Sequence, residues 1–162
     1  MLILVQVQNQ IKMERISYQD IPEGTFPKLM ALEDFINNSG LSMKLLELVR
    51  VRVSQLNGCA YCVDMHYKLA RHFGEEELRL VSLVAWTEAV CFTKEERAIL
   101  QYTDALTKLG GNEIPQEVFD DLSLYYTKGE IAYLSLAISQ INVWTRLMKA
   151  FKFKPGVFKV EE

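Results

Sequence analysis

Two cysteines and a histidine in the stretch NGCAYCVDMH, Cys59, Cys62 and His66, carry the chemistry that stands out in this sequence. On a helix, residues three, four and seven apart return to one face, so the three side chains would share a side. Gly58 would end the helix before them. Cys59 then falls at or near a helix N-terminus, where unpaired N–H groups and the helix dipole favour a thiolate. Thiols in that setting, or in Cys-x-x-Cys pairs, have pKa values lowered to ~3.5–7.5, and the thiolate is the nucleophile. His66 can take or return a proton, because imidazole titrates near neutral pH. Three readings are open: a redox dithiol, half of a metal site, or the lining of a core, since free cysteine is among the most buried residue types. A structural zinc wants four ligands, and His72 is the only other histidine. The redox pair is therefore preferred, and neither a metal nor an organic cofactor is expected.

Other candidates have plainer roles. Glu47, on the helix before the pair, would reach the Cys–His face across a short turn, or else form a surface ion pair with Arg50 at i+3. Cys91 reads as a small buried hydrophobe. Trp86 and Trp144 read as core or interface, and Tyr61, between the two cysteines, as packing whose hydroxyl is within reach of the site.

The apolar residues recur at three and four rather than two, which predicts an all-helical chain of about six to seven helices. A first helix runs over Pro27–Asn38 with Leu29, Leu32, Phe35 and Ile36 inward. A second spans Ser42–Asn57 with Leu45, Leu48, Val49, Arg52 and Leu56 inward. A third begins near Cys59, ends before Gly74 and presents Tyr61, Met65, Leu69 and Phe73 as an apolar stripe. A short fourth follows from Glu75. Thr93 with Glu96 is a capping box opening a helix to Leu109, Pro115 opens one to about Tyr126, and Thr127 with Glu130 opens another to about Ala150. This last helix is apolar on nearly every side, so part of it is expected to face another subunit.

The chain has 162 residues, 49% hydrophobic and 24% charged, which suits one soluble domain. Such a chain buries ~68–70% of its unfolded surface and needs no disulfide or metal to fold. With a net charge of −3 and scattered Lys and Arg, a nucleic-acid partner is not expected. The apolar run Met1–Val5 is too short for a signal or a membrane span, which predicts a cytoplasmic protein with no membrane contact. Three cysteines in a reducing compartment argue against a disulfide framework. Residues 1–12 show no helical period and read as an extension ahead of a single helical domain over 13–162.

The segment ELVRVRVSQLNGCAYCVDMHYKLAR, Glu47 to Arg71, resembles the core of the AhpD-like alkylhydroperoxidases of the carboxymuconolactone decarboxylase superfamily. That pattern is a Glu, a Cys twelve residues on, then Cys-x-x-Cys-x-x-x-His, matched by Glu47, Cys59, Cys62 and His66. AWTEAVCFTKEERAIL and INVWTRLMKA resemble the later helices of the single-domain branch, so the likeness covers about residues 15–155. The resemblance implies that Cys62 attacks a hydroperoxide and that Cys59, the more accessible cysteine, closes the disulfide. His66 would deprotonate Cys62, and Glu47 would orient or relay protons to His66. It further implies a dithiol reductant, such as a dihydrolipoyl protein, and an all-helical trimer or hexamer. Some members carry a histidine between the cysteines, where this chain has Tyr61. The alternative within the same residues is a thiol/disulfide exchange protein or redox sensor without peroxidase turnover.

Overall fold

Three hydroxyl caps set where the principal helices begin. Ser42 accepts a hydrogen bond from the Leu45 N–H at 3.2 Å. Thr93 accepts from the Glu96 N–H at 3.1 Å while the Glu96 carboxylate accepts from the Thr93 N–H at 2.8 Å. Thr127 and Glu130 repeat that reciprocal pair at 3.3 and 2.8 Å. Each arrangement satisfies backbone donors that a helix start otherwise leaves unpaired.

In the computed structural model, which describes residues 14–160, the helices are α1 (Thr25–Asn37), α2 (Met43–Leu56), α3 (Ala60–His72), α4 (Glu77–Ser82), α5 (Lys94–Thr107), α6 (Gln116–Ser123) and α7 (Lys128–Phe151). Single 3-10 turns lie at Tyr18–Asp20 and Leu83–Ala85. The described residues contain seven α-helices and no strand, so the fold is all-α. The expected extension over 1–12 lies outside the described residues.

α2 is the axis of the molecule and packs against α3, α5 and α7. Every residue from Leu46 to Ser54 is buried. A helix enclosed on all sides has no solvent face for its charges, so Glu47, Arg50 and Arg52 each need a partner. Arg52 makes a two-pronged contact with Asp104 of α5, Nε to Oδ1 at 2.7 Å and Nη2 to Oδ2 at 2.6 Å. Glu47 and Arg50 pair with each other and beyond, as described below.

The main core joins Ile36 of α1, Leu46, Val49 and Val53 of α2, Ile99 of α5, Leu122 of α6 and Leu134, Ile138 and Ile141 of α7. A second cluster gathers Leu48, Val51, Ala70, Leu83 and Leu100. Cys59, Cys62, Met148 and Phe153 form a third. On α7, Leu136 and Val143 remain 38% and 43% exposed, so its apolar surface is only partly covered within one chain.

Several details differ from the expectations. Phe35 lies outward, 54% exposed, and Glu33 takes a buried place beside Ile36. On α3 the buried file is Cys62, His66 and Ala70, whereas Tyr61, Met65 and Leu69 are half-buried and Phe73 is exposed. The polar file turns inward because Glu47 on α2 waits for His66, so pairing outranks hydropathy. α5 stops at Thr107 and α6 at Ser123, each short of the expected end. Shifts of two or three residues at helix ends are normal where ends fray.

Candidate active site

The turn from α2 to α3 places the cysteine pair. Gly58 has φ 58°, the left-handed conformation that suits glycine, and reverses the chain so that Cys59 becomes the N-cap of α3. In that place its Sγ accepts the Cys62 N–H at 3.4 Å. The two sulfurs stand 2.7 Å apart. Both are buried, 2% and 3% exposed, so Cys59 is not the more accessible of the two.

The pair shares its protons unequally. The Cys62 S–H donates to Cys59, and with help from the Cys62 N–H and the nearby Lys149 ammonium this outweighs burial and lowers the Cys59 thiol to about 7. Lys149 is held in place by its bond to the Asn57 carbonyl at 2.7 Å. Cys62 moves the opposite way, well above the ordinary thiol range. Its proton is committed to Cys59, burial disfavours a second charge, and a neighbouring thiolate repels one. The two titrate as a unit, with the Cys59 thiol moved down and the Cys62 thiol moved up. The resemblance implied a thiolate at Cys62. With one proton shared over 2.7 Å, passage of that proton from Cys62 to Cys59 moves the charge to Cys62.

Behind the thiols lies a buried relay. His66 Nδ1 is 2.8 Å from Glu47 Oε2. Arg50 Nη1 donates to Glu47 Oε1 at 2.6 Å, and Arg50 Nη2 donates to Asn37 Oδ1 at 2.7 Å. Burial pushes the Glu47 carboxyl up, but the imidazole and guanidinium beside it hold it below its usual range. Both sequence readings of Glu47 are thus present together, and the Arg50 pair is buried rather than on the surface. No side chain among the described residues hydrogen-bonds His66 Nε2, and neither thiol does so.

A cavity of about 280 Å³ opens in front of Cys62 and His66. Phe26, Tyr61, Met65, Trp144 and Met148 supply most of its wall, with Glu33 as the acidic exception. Cys59 is not part of that wall. Tyr61 is half-buried there, and burial together with neighbouring Tyr18 pushes its hydroxyl up to about 12. Trp144 is therefore a cavity residue as well as a packing one. Trp86 and Cys91 belong to the second core cluster, away from the pair. No group of three or more His, Cys, Asp or Glu among the described residues is placed to hold a metal ion.

The carboxymuconolactone decarboxylase family model matches residues 25–105, which span α1 to most of α5 and include all four candidate residues. The chain belongs to this family. The uncharacterized protein YdfG of Bacillus subtilis (strain 168) is 37% identical over 135 residues, covering 83% of this chain and 91% of its own. A solved structure from Agrobacterium tumefaciens, a protein of unknown function named as a putative antioxidant defence protein AhpD, superposes with a TM-score of 0.85. It shares 37% identity over 90% of this chain and 100% of that one. The AhpD core of a peroxidase-related protein from Ralstonia eutropha JMP134 has a TM-score of 0.75 at 20% identity, covering 84% of this chain and 73% of that one. A debrominase has a TM-score of 0.70 at 18% identity, with 83% and 74% coverage. These last two establish a shared fold. Together the family match and the Agrobacterium structure make this an AhpD-like member of the superfamily.

The structure joins Cys59 to Cys62 and Glu47 to His66, and places Cys62 and His66 on one cavity wall, with no hydrogen bond between His66 and either thiol. Arg50, Asn37 and Glu33 were missed as parts of the site. For Arg50 the signal was present: a charged pair at i, i+3 flanked by Leu46, Leu48, Val49 and Val51 marks a buried ion pair as readily as a solvated one. Asn37 and Glu33 sit on α1, where nothing local distinguishes them from surface residues.

Proposed function

We propose that this protein is a thiol-dependent peroxidase that reduces alkyl hydroperoxides through a Cys59–Cys62 dithiol/disulfide cycle. The observation that carries the reading is the 2.7 Å sulfur pair whose Cys62 member shares the wall of an apolar cavity with His66. The likeness to a putative antioxidant defence protein at 37% identity supports the same class of activity.

In the cycle, the pair first loses one proton, near pH 7. As the hydroperoxide enters, Cys59 takes the shared proton and the Cys62 sulfur attacks the outer peroxide oxygen. The O–O bond breaks, and the leaving alkoxide takes a proton from His66 Nε2 and departs as alcohol. Glu47, held by Arg50, keeps His66 oriented. Cys62 is now a sulfenic acid. Cys59 attacks that sulfur, the S–S bond forms, the S–O bond breaks, and the oxygen takes the Cys59 proton and leaves as water. A dithiol reductant, of the dihydrolipoyl class, gives up two hydrogens by thiol exchange and returns both cysteines to the reduced state. A resolving thiol at this distance has a high effective concentration and intercepts the sulfenic acid before further oxidation. The uncovered apolar surface of α7 supports a homo-oligomer, and a monomer by sedimentation at micromolar concentration would count against it.

Stoichiometric trapping tests the assignment of roles. One equivalent of cumene hydroperoxide should give an intramolecular disulfide in the wild type. In Cys59→Ser it should leave a sulfenic acid on Cys62 that a dimedone probe captures. Capture on no residue, or on Cys91 alone, would overturn the reading.

A further inference from the structure

One carboxyl group in the cavity has no part in the cycle above. Glu33, on α1, is 93% buried by its 7% exposure and lines the same cavity as Cys62 and His66. Among the described residues it forms no salt bridge and accepts no side-chain hydrogen bond. The other buried carboxylate of the site, Glu47, has two such partners. A buried acid is ordinarily paired, because removing its charge from water is costly. One left facing a cavity is a group held ready for whatever enters.

The rest of the wall has the same electrostatic sense. Phe26, Tyr61 and Trp144 present aromatic rings, whose faces are negative and attract cations. No Lys or Arg lines the cavity to balance them. An anionic molecule would therefore meet the Glu33 carboxylate and aromatic rings, with His66 as the one lining side chain able to carry a positive charge. A neutral or cationic one would meet an apolar wall and a hydrogen-bond acceptor.

We propose that Glu33 is the specificity-determining residue of this cavity, admitting apolar hydroperoxides that are uncharged or carry an amine and turning away those bearing a carboxylate or another acid group. The proposal rests on the reading that Cys62 meets its substrate through this cavity. Two unit charges several ångströms apart at a partly screened site repel strongly enough to change an entry rate by about ten-fold or more.

The test needs no peroxide. The rates of alkylation of Cys62, the cysteine that lines the cavity, by iodoacetamide, which is neutral, and by iodoacetate, which is anionic, are compared on the reduced full-length protein by mass spectrometry that assigns the modified cysteine. In both reactions the sulfur displaces iodide and forms a thioether. Cys91, which does not line the cavity, is the internal reference for the intrinsic difference between the reagents. The neutral-to-anionic rate ratio at Cys62 is expected to exceed that at Cys91 by about ten-fold or more, and Glu33→Gln should bring it down toward the Cys91 value. Equal ratios at the two places, or a ratio that Glu33→Gln leaves unchanged, would overturn the proposal. Turnover of cumene hydroperoxide against an acid-bearing analogue is then measured on both proteins. A charge contrast in alkylation with no turnover of any hydroperoxide would sink the peroxidase reading and leave the selectivity standing. Turnover without the contrast would do the reverse.

Discussion

Replacing Glu47 should damage the fold before it damages the chemistry. Arg50 is fully buried, and its guanidinium has two partners, Glu47 at 2.6 Å and Asn37 at 2.7 Å, with Nε unpaired. Glu47→Leu removes the only counter-charge that Arg50 has among the described residues, at similar volume. Breaking a buried ion pair from one side costs about 3–5 kcal/mol, because the remaining charge stays out of water. For a domain of this size each kcal/mol moves the melting temperature by roughly 2–4 °C, so a drop of about 6–20 °C is expected. Removing both charges, as Glu47→Leu with Arg50→Met, should recover at least about half of that loss, since apolar replacement of a whole buried pair is often neutral. Thermal unfolding of the two single variants and the double variant, followed by circular dichroism, gives the coupling directly. A Glu47→Leu shift under about 2 °C, or a double variant whose loss equals the sum of the singles, would refute the claim that Arg50 depends on Glu47.

Three further outcomes follow from the same geometry. The first thiol proton of the reduced pair should leave with a half-point near pH 7, seen as thiolate absorbance in the ultraviolet. Since a donor from Cys62 is the chief cause, Cys62→Ala should move that half-point up toward the ~8.5 of a free thiol, and an unmoved half-point would contradict the pairing. His66→Phe should lower peroxide turnover by about 10²–10⁴-fold while leaving the Cys59–Cys62 disulfide able to form with a chemical oxidant. Loss of disulfide formation as well would mean that His66 is structural. Ile138→Ala, in the main core and fully buried, should cost about 2–5 kcal/mol in chemical denaturation, and a cost under about 1 kcal/mol would contradict the packing of α7.

Local signals in the sequence account for most of the fold. The capping pairs Thr93 with Glu96 and Thr127 with Glu130 lie three residues apart and depend on nothing distant, and both formed as expected. The offsets among Cys59, Cys62 and His66 are likewise helix geometry. Glu47 was reachable because it lies on the adjacent helix across a short turn. The inward file of α3 was not legible. Whether Tyr61 or His66 turns inward depends on what α2 offers, and Glu47 is 19 residues from His66. The burial of α2 on every side escaped the pattern for the same reason. Three of its charged residues, Glu47, Arg50 and Arg52, imitate a solvent face, and the partners Asp104 and Asn37 come from α5 and α1. Which thiol is shifted down is also beyond periodicity, because it depends on the 2.7 Å contact between the sulfurs, the Cys62 N–H and Lys149 of α7.

The most direct measurement is steady-state reduction of cumene hydroperoxide coupled to dihydrolipoamide and its reductase, on the wild type beside Cys62→Ser and Cys59→Ser. The account predicts many turnovers per wild-type chain and none in either variant. A wild type that forms its disulfide once and stops, or a Cys62→Ser variant that keeps turning over, would contradict it.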